Sequence, residues 1–466
     1  MSDNSTFSSV LTSRERTAVP AKSLSFIEGV SMIVGTNIGA GVLSIAYASS
    51  KAGFLPLLFW LVVVGSLTTI TMLYVAESTL RTRKHLQLSG LSQRYVGRFG
   101  ALMMFLSVCV NSVGALTAYM TGSGKLLHSL FGISPALGSA LFFIPAAGVL
   151  YLGLKAIGRG EKFISIGMVV MITILVAATL LKETASVSYL LEGNWLYMVP
   201  VFNVVAFCFS AQYIVPEMAR GFADKPEKLP KAIMVGMVLT FCLLALVPLS
   251  VIALSGLDNI SDVATISWGR ALGEWAFFSA NLFALCAMLT SYWGLGGSFL
   301  TNIFDQFRLG NDEQPFKRFK VLLVVAVPPF ILAYSGMVSF VNALYFAGVF
   351  SGVILSIMPI LILKGSRRQG DITPGWTCPA LITHPFIQIF IVLLYLCSAV
   401  YAIASAFGYL PAGWWSRCSC HRVRFIPARV FICHLSVTYS AILSFPILLN
   451  DGMFSIVCCK SAGSRP

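Results

Sequence analysis

Charge is scarce in this chain. Of its 466 residues only 11% are Asp, Glu, Lys or Arg, 18 acidic and 32 basic, while 57% are hydrophobic and the mean hydropathy is +0.83. A soluble domain carries roughly 25% charge, and between Leu24 and Leu410 no polar stretch is long enough for a folded extramembrane domain. These shortages exclude a water-soluble globular protein and leave an integral membrane one. Histidine is sparse too: His85, His128, His384, His421 and His434 are scattered and form no His-Glu-x-x-His set. Gly122-Ser123-Gly124 lacks the rest of a nucleophile elbow. The chain therefore reads as no enzyme, with no cofactor and no metal site. Its cysteines form no disulfide framework; Cys109, Cys208, Cys242, Cys286, Cys378 and Cys397 lie singly in or beside apolar spans, where a thiol serves as a small hydrophobe. The net charge of +14 does not point to nucleic acid, because the basic residues sit in short loops and make no continuous stripe.

A bilayer-crossing helix needs about 20 apolar residues. On that measure the sequence predicts eleven spans: Leu24–Ser49, Leu55–Leu80, Phe99–Thr121, Ser134–Lys155, Phe163–Lys182, Leu196–Gly221, Ala232–Gly256, Leu272–Leu300, Val321–Tyr334, Gly336–Leu363 and Pro385–Leu410. The first apolar segment is too long for a signal peptide and has no small-residue cleavage site behind it, so it is expected to stay. The organisation is a polar N-terminal segment, 1–23, a transmembrane domain, 24–410, and an atypical tail, 411–466.

A missed span would invert every later loop, so the positive-inside rule tests the count. With the N-terminus cytoplasmic, 22 Lys and Arg fall in cytoplasmic loops, and only Lys51, Lys125, Lys182 and Arg270 fall outside. The tail breaks the pattern: it holds Cys418, Cys420, Cys433, Cys458 and Cys459 and six basic residues on the side expected to be outside. Arg429–Leu449 reads either as a twelfth span, weakened by His434 and Pro446, or as a sequence not native to the fold, such as a shifted reading frame.

Two spans carry helix breakers at mid-depth, which lipid tolerates only beside a cavity or within protein. The first contains Gly35-Thr36-Asn37-Ile38-Gly39-Ala40-Gly41, with Ile38 about 20 Å along from Ser25 at 1.5 Å per residue. The sixth contains Phe207-Cys208-Phe209-Ser210-Ala211-Gln212-Tyr213-Ile214-Val215-Pro216. The first span runs outward and the sixth inward, and each opens a block of five, the pattern of a five-plus-five inverted repeat. Interrupted spans at matching places in two halves mark a transporter's binding site. Half-helix N-termini offer N–H groups to an anion and half-helix C-termini offer carbonyls to a cation, which suits a zwitterion such as an amino acid. The bland alternative is close packing through small-xxx-small patterns such as Gly35-xxx-Gly39.

At these residues the chain resembles the amino acid, polyamine and organocation transporter superfamily, which has the leucine-transporter fold. It is most similar to the aromatic and hydroxy amino acid permeases, the tryptophan/tyrosine permease family. The resemblance is carried by Gly35–Leu43, by Val215-Pro216-Glu217 and by Leu289-Thr290-Ser291-Tyr292 with Gly294, Gly296-Gly297 and Phe304-Asp305. It implies an all-α integral membrane protein of the plasma (inner) membrane that imports an amino acid, driven by a proton or sodium gradient. The substrate carboxylate is then expected on the backbone at Gly39, Ala40 and Gly41, and the ammonium at carbonyls around Val34 and Phe207. Thr290 and Ser291 match the hydroxyls that bind sodium in sodium-coupled relatives. The sequence departs from the superfamily at Ser210–Tyr213, where a glycine, and a histidine near Gln212, would be usual.

The candidate substrate-binding residues are thus Gly35, Asn37, Gly39, Ala40, Gly41, Phe207, Phe209, Ser210 and Gln212. Val34, Thr290, Ser291 and Glu217 are the candidates for ion coupling. Asn111, Tyr119, Phe283 and Tyr345 are candidate pocket walls, although aromatic residues at this composition are commonly plain packing. Glu217 could act as a proton relay or simply pair with Arg220; Glu28 and Glu77 read as interfacial carboxylates paired with loop arginines. Lys162 lies too shallow for the site. Two rival functions use the same fold: an amino acid sensor that binds without moving its ligand, and a polyamine or cationic amino acid exchanger that depends on acids such as Glu217.

Overall fold

The computed structural model describes residues 24–84, 86–152, 157–307, 309, 314–411 and 413–414. The segment 1–23, the tail from 415 on with its alternative twelfth span, His85, and the side chains of Lys162 and Asp305 lie outside the described residues. Within them the chain is helical. In order come α1 (Phe26–Asn37), α2 (Ala40–Ala48), α3 (Phe54–Leu80), α4 (Leu88–Tyr95), α5 (Arg98–Phe131), α6 (Pro135–Leu152), α7 (Ile157–Leu180) and α8 (Ser188–Leu191). The second half holds α9 (Met198–Cys208), α10 (Val215–Gly221), α11 (Lys228–Ser255), α12 (Ala264–Leu272), α13 (Glu274–Gln306), α14 (Pro315–Tyr334), α15 (Phe340–Gln369) and α16 (Pro385–Ala406).

Among the described residues eight helical segments are long and apolar enough to cross a bilayer, and the bent pair α1–α2 makes a ninth. One of the eight, Trp195–Gly221, contains α9 and α10 and is the sixth span. Helices α7 and α14 take the fifth and ninth places. The ninth starts at Pro315, six residues before the expected Val321. Its early basic turn is stabilised by Arg318, which is buried and donates from Nε and Nη2 to Leu150 O at 3.1 and 2.8 Å, capping the end of α6.

Contacts at the helix ends sort the loops into two sets. At one end Leu24 N–H donates to Gly221 O (2.8 Å), and Arg94 pairs with Asp371 (2.5 Å). There too Glu77, paired with arginines as expected but fully buried, accepts from Arg367 Nε and Nη2 (2.8 Å each), Arg81 Nε (2.9 Å) and Cys378 N–H (2.8 Å). Burial and the neighbouring carboxylate push the Cys378 thiol above its usual range. At the other end Lys125 pairs with Asp262, Ser186 N–H donates to Ala253 O (2.9 Å) and Asn194 N–H donates to Ala52 O (3.0 Å). The last contact draws two glycines together. A Cβ on Gly53 (φ 91°) would lie 2.2 Å from Glu192 O, and one on Gly193 (φ 144°) 2.2 Å from Ala52 O.

Helix partners reveal the internal symmetry. The first span packs on the seventh as the sixth packs on the second; the third packs on the tenth as the eighth packs on the fifth. Third with fourth and third with ninth are matched by eighth with ninth and eighth with fourth. The first also meets the sixth, the second the seventh, the third the eighth and the fourth the ninth. These are the pairings of five spans superposed on the next five in opposite sense. Helix α16 packs outside the repeat, on α15 and α9.

Candidate functional site

The first span begins on a capping box, in which Ser25 Oγ accepts from Glu28 N–H and Glu28 Oε2 accepts from Ser25 N–H. Glu28 is thus a helix-capping acid. The helix ends at Asn37: Ile38 (φ −89°, ψ 87°) and Gly39 (φ −136°, ψ −136°) leave helical geometry, and α2 restarts at Ala40 bent by 48°. A helix start leaves its first N–H groups without intrahelical partners and carries the positive end of the helix dipole. Ala40 and Gly41 occupy that start, beside Gly39, deep in the bundle.

Two hydroxyls face this point. A Cβ on Gly39 would lie 3.1 Å from Tyr119 Oη on the third span and 3.5 Å from Ser291 Oγ on the eighth. Gly41 is required for a different reason: a Cβ there would lie 2.6 Å from Cys208 Sγ on the sixth span. The structure therefore brings Gly39, Ala40, Gly41 and Ser291 together and adds Tyr119, foreseen only as a pocket wall. An anion at this place would meet backbone N–H groups and two hydroxyl donors.

The sixth span breaks as well. Helix α9 stops at Cys208; Phe209 and Ser210 (φ −81°, ψ 47°) are irregular, a 3-10 turn covers Ala211–Ile214, and Pro216 sits in the first turn of α10. Pro216 thus starts the second half-helix, where its missing N–H costs nothing. This break is occupied by its own side chains. Phe207 O accepts from both Ser210 N–H (3.2 Å) and Ser210 Oγ (2.7 Å), which uses both of its lone pairs. Phe209 is fully buried against Gly65 of the second span, and Phe207 packs on Gly348 of the tenth. Gln212 donates to Thr71 Oγ1 (3.3 Å), Tyr213 Oη meets Ser107 Oγ (3.4 Å), and Ser351 Oγ donates to Asn111 Oδ1 (3.3 Å).

The other candidates are placed as follows. Val34 O accepts from Ile38 N–H (2.9 Å) and keeps one lone pair. Gly35 lies in the last turn of α1, half-buried. Asn37 donates to Met237 Sδ (3.5 Å), and its Oδ1, like Gln212 Oε1, is buried without a partner among the described residues. Thr290 turns back to Ala287 O (3.0 Å), so Ser291 alone of that pair faces Gly39. Glu217 lies away from the gathered set, half exposed near Arg220 (3.8 Å) and Gln87 (3.3 Å). Phe283 packs against Gly167 of the fifth span, and Tyr345 stacks edge-on with Trp414. Among the described residues no three His, Cys, Asp or Glu gather into a metal-binding group.

An inverted repeat whose first-span break presents helix-start N–H groups to hydroxyls of two other spans defines a multi-pass membrane carrier with the leucine-transporter fold. The chain belongs to the tryptophan/tyrosine permease family, whose profile matches residues 22–402. It is 23% identical over 379 residues to a tryptophan-specific transport protein of Haemophilus influenzae, covering 75% of this chain and 90% of that one. It is 22% identical over 396 residues to tyrosine-specific transport system 1 of the same organism, covering 82% and 97%. A solved nucleobase-cation-symport-1 family transporter, in a closed conformation with bromovinylhydantoin bound, shares the fold. Its TM-score is 0.57 at 13% identity, covering 85% of this chain and 95% of that one. The relatives are named as transport proteins, not enzymes, in line with the lack of a catalytic constellation.

Proposed function

We propose that this protein imports an aromatic amino acid across the plasma (inner) membrane by alternating access, with its N-terminus cytoplasmic and a proton or sodium gradient as driving force. The observation that carries the reading is the first-span break, where the free N–H groups at Gly39–Gly41 face Tyr119 and Ser291. The substrate carboxylate sits there. The ammonium meets the remaining lone pair of Val34 O, since Phe207 O is occupied by Ser210. Family membership and the names of the relatives support an aromatic substrate. Thr290, whose proton goes to Ala287 O while its oxygen keeps its lone pairs, and Ser291 beside Gly39 support a role for this hydroxyl pair in ion coupling. A polyamine or cationic exchanger would need an acid at the break, whereas Glu217 lies at the end of the bundle.

Purified protein in liposomes tests this directly. Saturable tryptophan or tyrosine accumulation is expected under one imposed gradient, pH or sodium, and not without it. Binding without accumulation would instead support the sensor, and ornithine counterflow lost in Glu217→Gln would support the exchanger. In Ser291→Ala, unchanged sodium dependence would remove Ser291 from coupling.

A further inference from the structure

We propose that the segment 370–384, between the tenth and eleventh spans, is a strap that shuts the cytoplasmic face, and that the ion pair of Arg94 with Asp371 is the latch that releases it; this rests on the alternating-access reading above. Helix packing divides the spans into two sets. The first, second, sixth and seventh form one, and the third, fourth, eighth and ninth the other. The tenth lies against both, touching the second and sixth of one set and the third of the other. A path to the cytoplasm opens only where the two sets part.

The strap leaves the tenth span and crosses the inner end of the second. Asp371 N–H donates to Arg81 O (2.9 Å), Cys378 N–H to Glu77 (2.8 Å), Cys378 Sγ to Leu73 O (3.4 Å), and Tyr74 Oη donates to Ile382 O. It also reaches the connection between the sixth and seventh spans, where a Cβ on Gly375 would lie 2.7 Å from Pro226 Cγ. This fastening is firm. Glu77 is fully buried and takes donors from Arg81, Arg367 and Cys378. Separating a buried carboxylate from such partners leaves an uncompensated charge, so Glu77 is an anchor that holds in every state of the cycle.

The fastening toward the other set is of a different kind. The Asp371 carboxylate accepts from Arg94 Nη2 (2.5 Å) and from Arg83 N–H (3.1 Å). Arg94 belongs to α4, which packs on the third span, and the two side chains of the pair are 30% and 29% exposed. Just before α4, Gln87 donates to Glu217 of the sixth span (3.3 Å), also at the surface. Tyr95, bonded to Thr82 (2.7 Å) and packed on Gly365, is the pivot of α4. An exposed ion pair shifts an equilibrium by only about two- to fivefold and is weakened by salt. The seam between the sets is thus closed here by contacts that break easily, while the strap stays on the second span.

The test places the full-length protein in nanodiscs, without any gradient, and follows alkylation by N-ethylmaleimide through peptide mass spectrometry. Ser107→Cys reports opening, because Ser107 is fully buried where the third span meets Tyr213 of the sixth (3.4 Å), one member from each set. The native Cys378, also buried, reports the anchor. Arg94→Gln and Asp371→Asn are each expected to speed alkylation at position 107 by about two- to fivefold, the two together no more than either alone, with Cys378 as protected as before. Choline chloride at about 0.5 M should do the same while the latch is intact and add nothing in the latch variants. Lys125→Gln, at the opposite end, should not speed it, whereas Glu77→Gln should expose Cys378. Unchanged alkylation at 107 in both latch variants, or Cys378 exposed in them, would overturn the latch; Cys378 still protected in Glu77→Gln would overturn the anchor. Should Ser107→Cys fail to fold, hydrogen exchange decides: peptides of α4 should exchange faster in the latch variants and those of 372–384 should not, and equal exchange in α4 would overturn the latch. Absence of uptake by the wild type would overturn the transport reading, while alkylation still decides the latch.

Discussion

The two broken spans stand at matching places in the repeat, yet they are finished differently. At the first, the half-helix α2 starts on glycine and alanine, and the groups facing it are hydroxyls of other spans. At the sixth, the freed backbone is satisfied locally by Ser210, and polar side chains bridge outward from Gln212 and Tyr213 to the second and third spans. The difference teaches that symmetry of the backbone does not carry over to chemistry. Unsatisfied groups in a membrane interior are expensive, and the sixth-span break answers the carbonyl of Phe207 with its own Ser210. The other, left bare by glycine, offers the helix-start donors on which the proposed carboxylate site rests.

Substitutions at both breaks press on this contrast. The largest effect is expected at Gly39→Leu, which drives a side chain into Tyr119 and Ser291; uptake should fall by about a hundredfold while membrane insertion and helix content, followed by circular dichroism, persist. Wild-type uptake would mean the first break is not where the carboxylate binds. Gly41→Ala should cost about tenfold through its clash with Cys208 Sγ. The double variant with Cys208→Ala should recover most of that loss, and an absence of recovery would show that the glycine serves something other than helix approach.

Smaller effects compare equivalent hydroxyls. Tyr119→Phe should raise KM by about tenfold, the size of a lost hydrogen bond to a charged group. Tyr213→Phe, beside the self-satisfied break, should change KM by less than about threefold; the reverse ranking would exchange the roles of the two breaks. Smallest of all, Gln212→Met combined with Thr71→Val should leave affinity unaltered and thermal stability within about 1.5 kcal/mol, since both ends of one buried hydrogen bond are removed together. A specific loss of affinity would bring Gln212 back into the binding site.

The order of the spans and the position of both interruptions were legible from residue pattern, because long apolar runs and mid-span glycines are imposed by the bilayer itself. What faces what was less so. Thr290 and Ser291 are adjacent in sequence, but helical rotation turns one onto its own backbone and the other toward Gly39. The arginine pairing of Glu77 was legible, but its full burial was not, because Arg367 lies 290 positions away. Glu217 admits two readings in sequence, a proton relay or a partner of Arg220, and the seven-residue helix that Val215 and Pro216 open carries it beside Arg220, half exposed.

The paired glycines at 53 and 193 have a mechanical consequence. With Leu24 tied to Gly221 at the far tip and Asn194 tied to Ala52 at the near one, the first and sixth spans are stitched to each other top and bottom. In the proposed alternating access the two are expected to swing together as a crank, carrying both interruptions through the same arc. Neither glycine has room for any side chain, so every missense change at either codon should slacken that crank without touching a ligand.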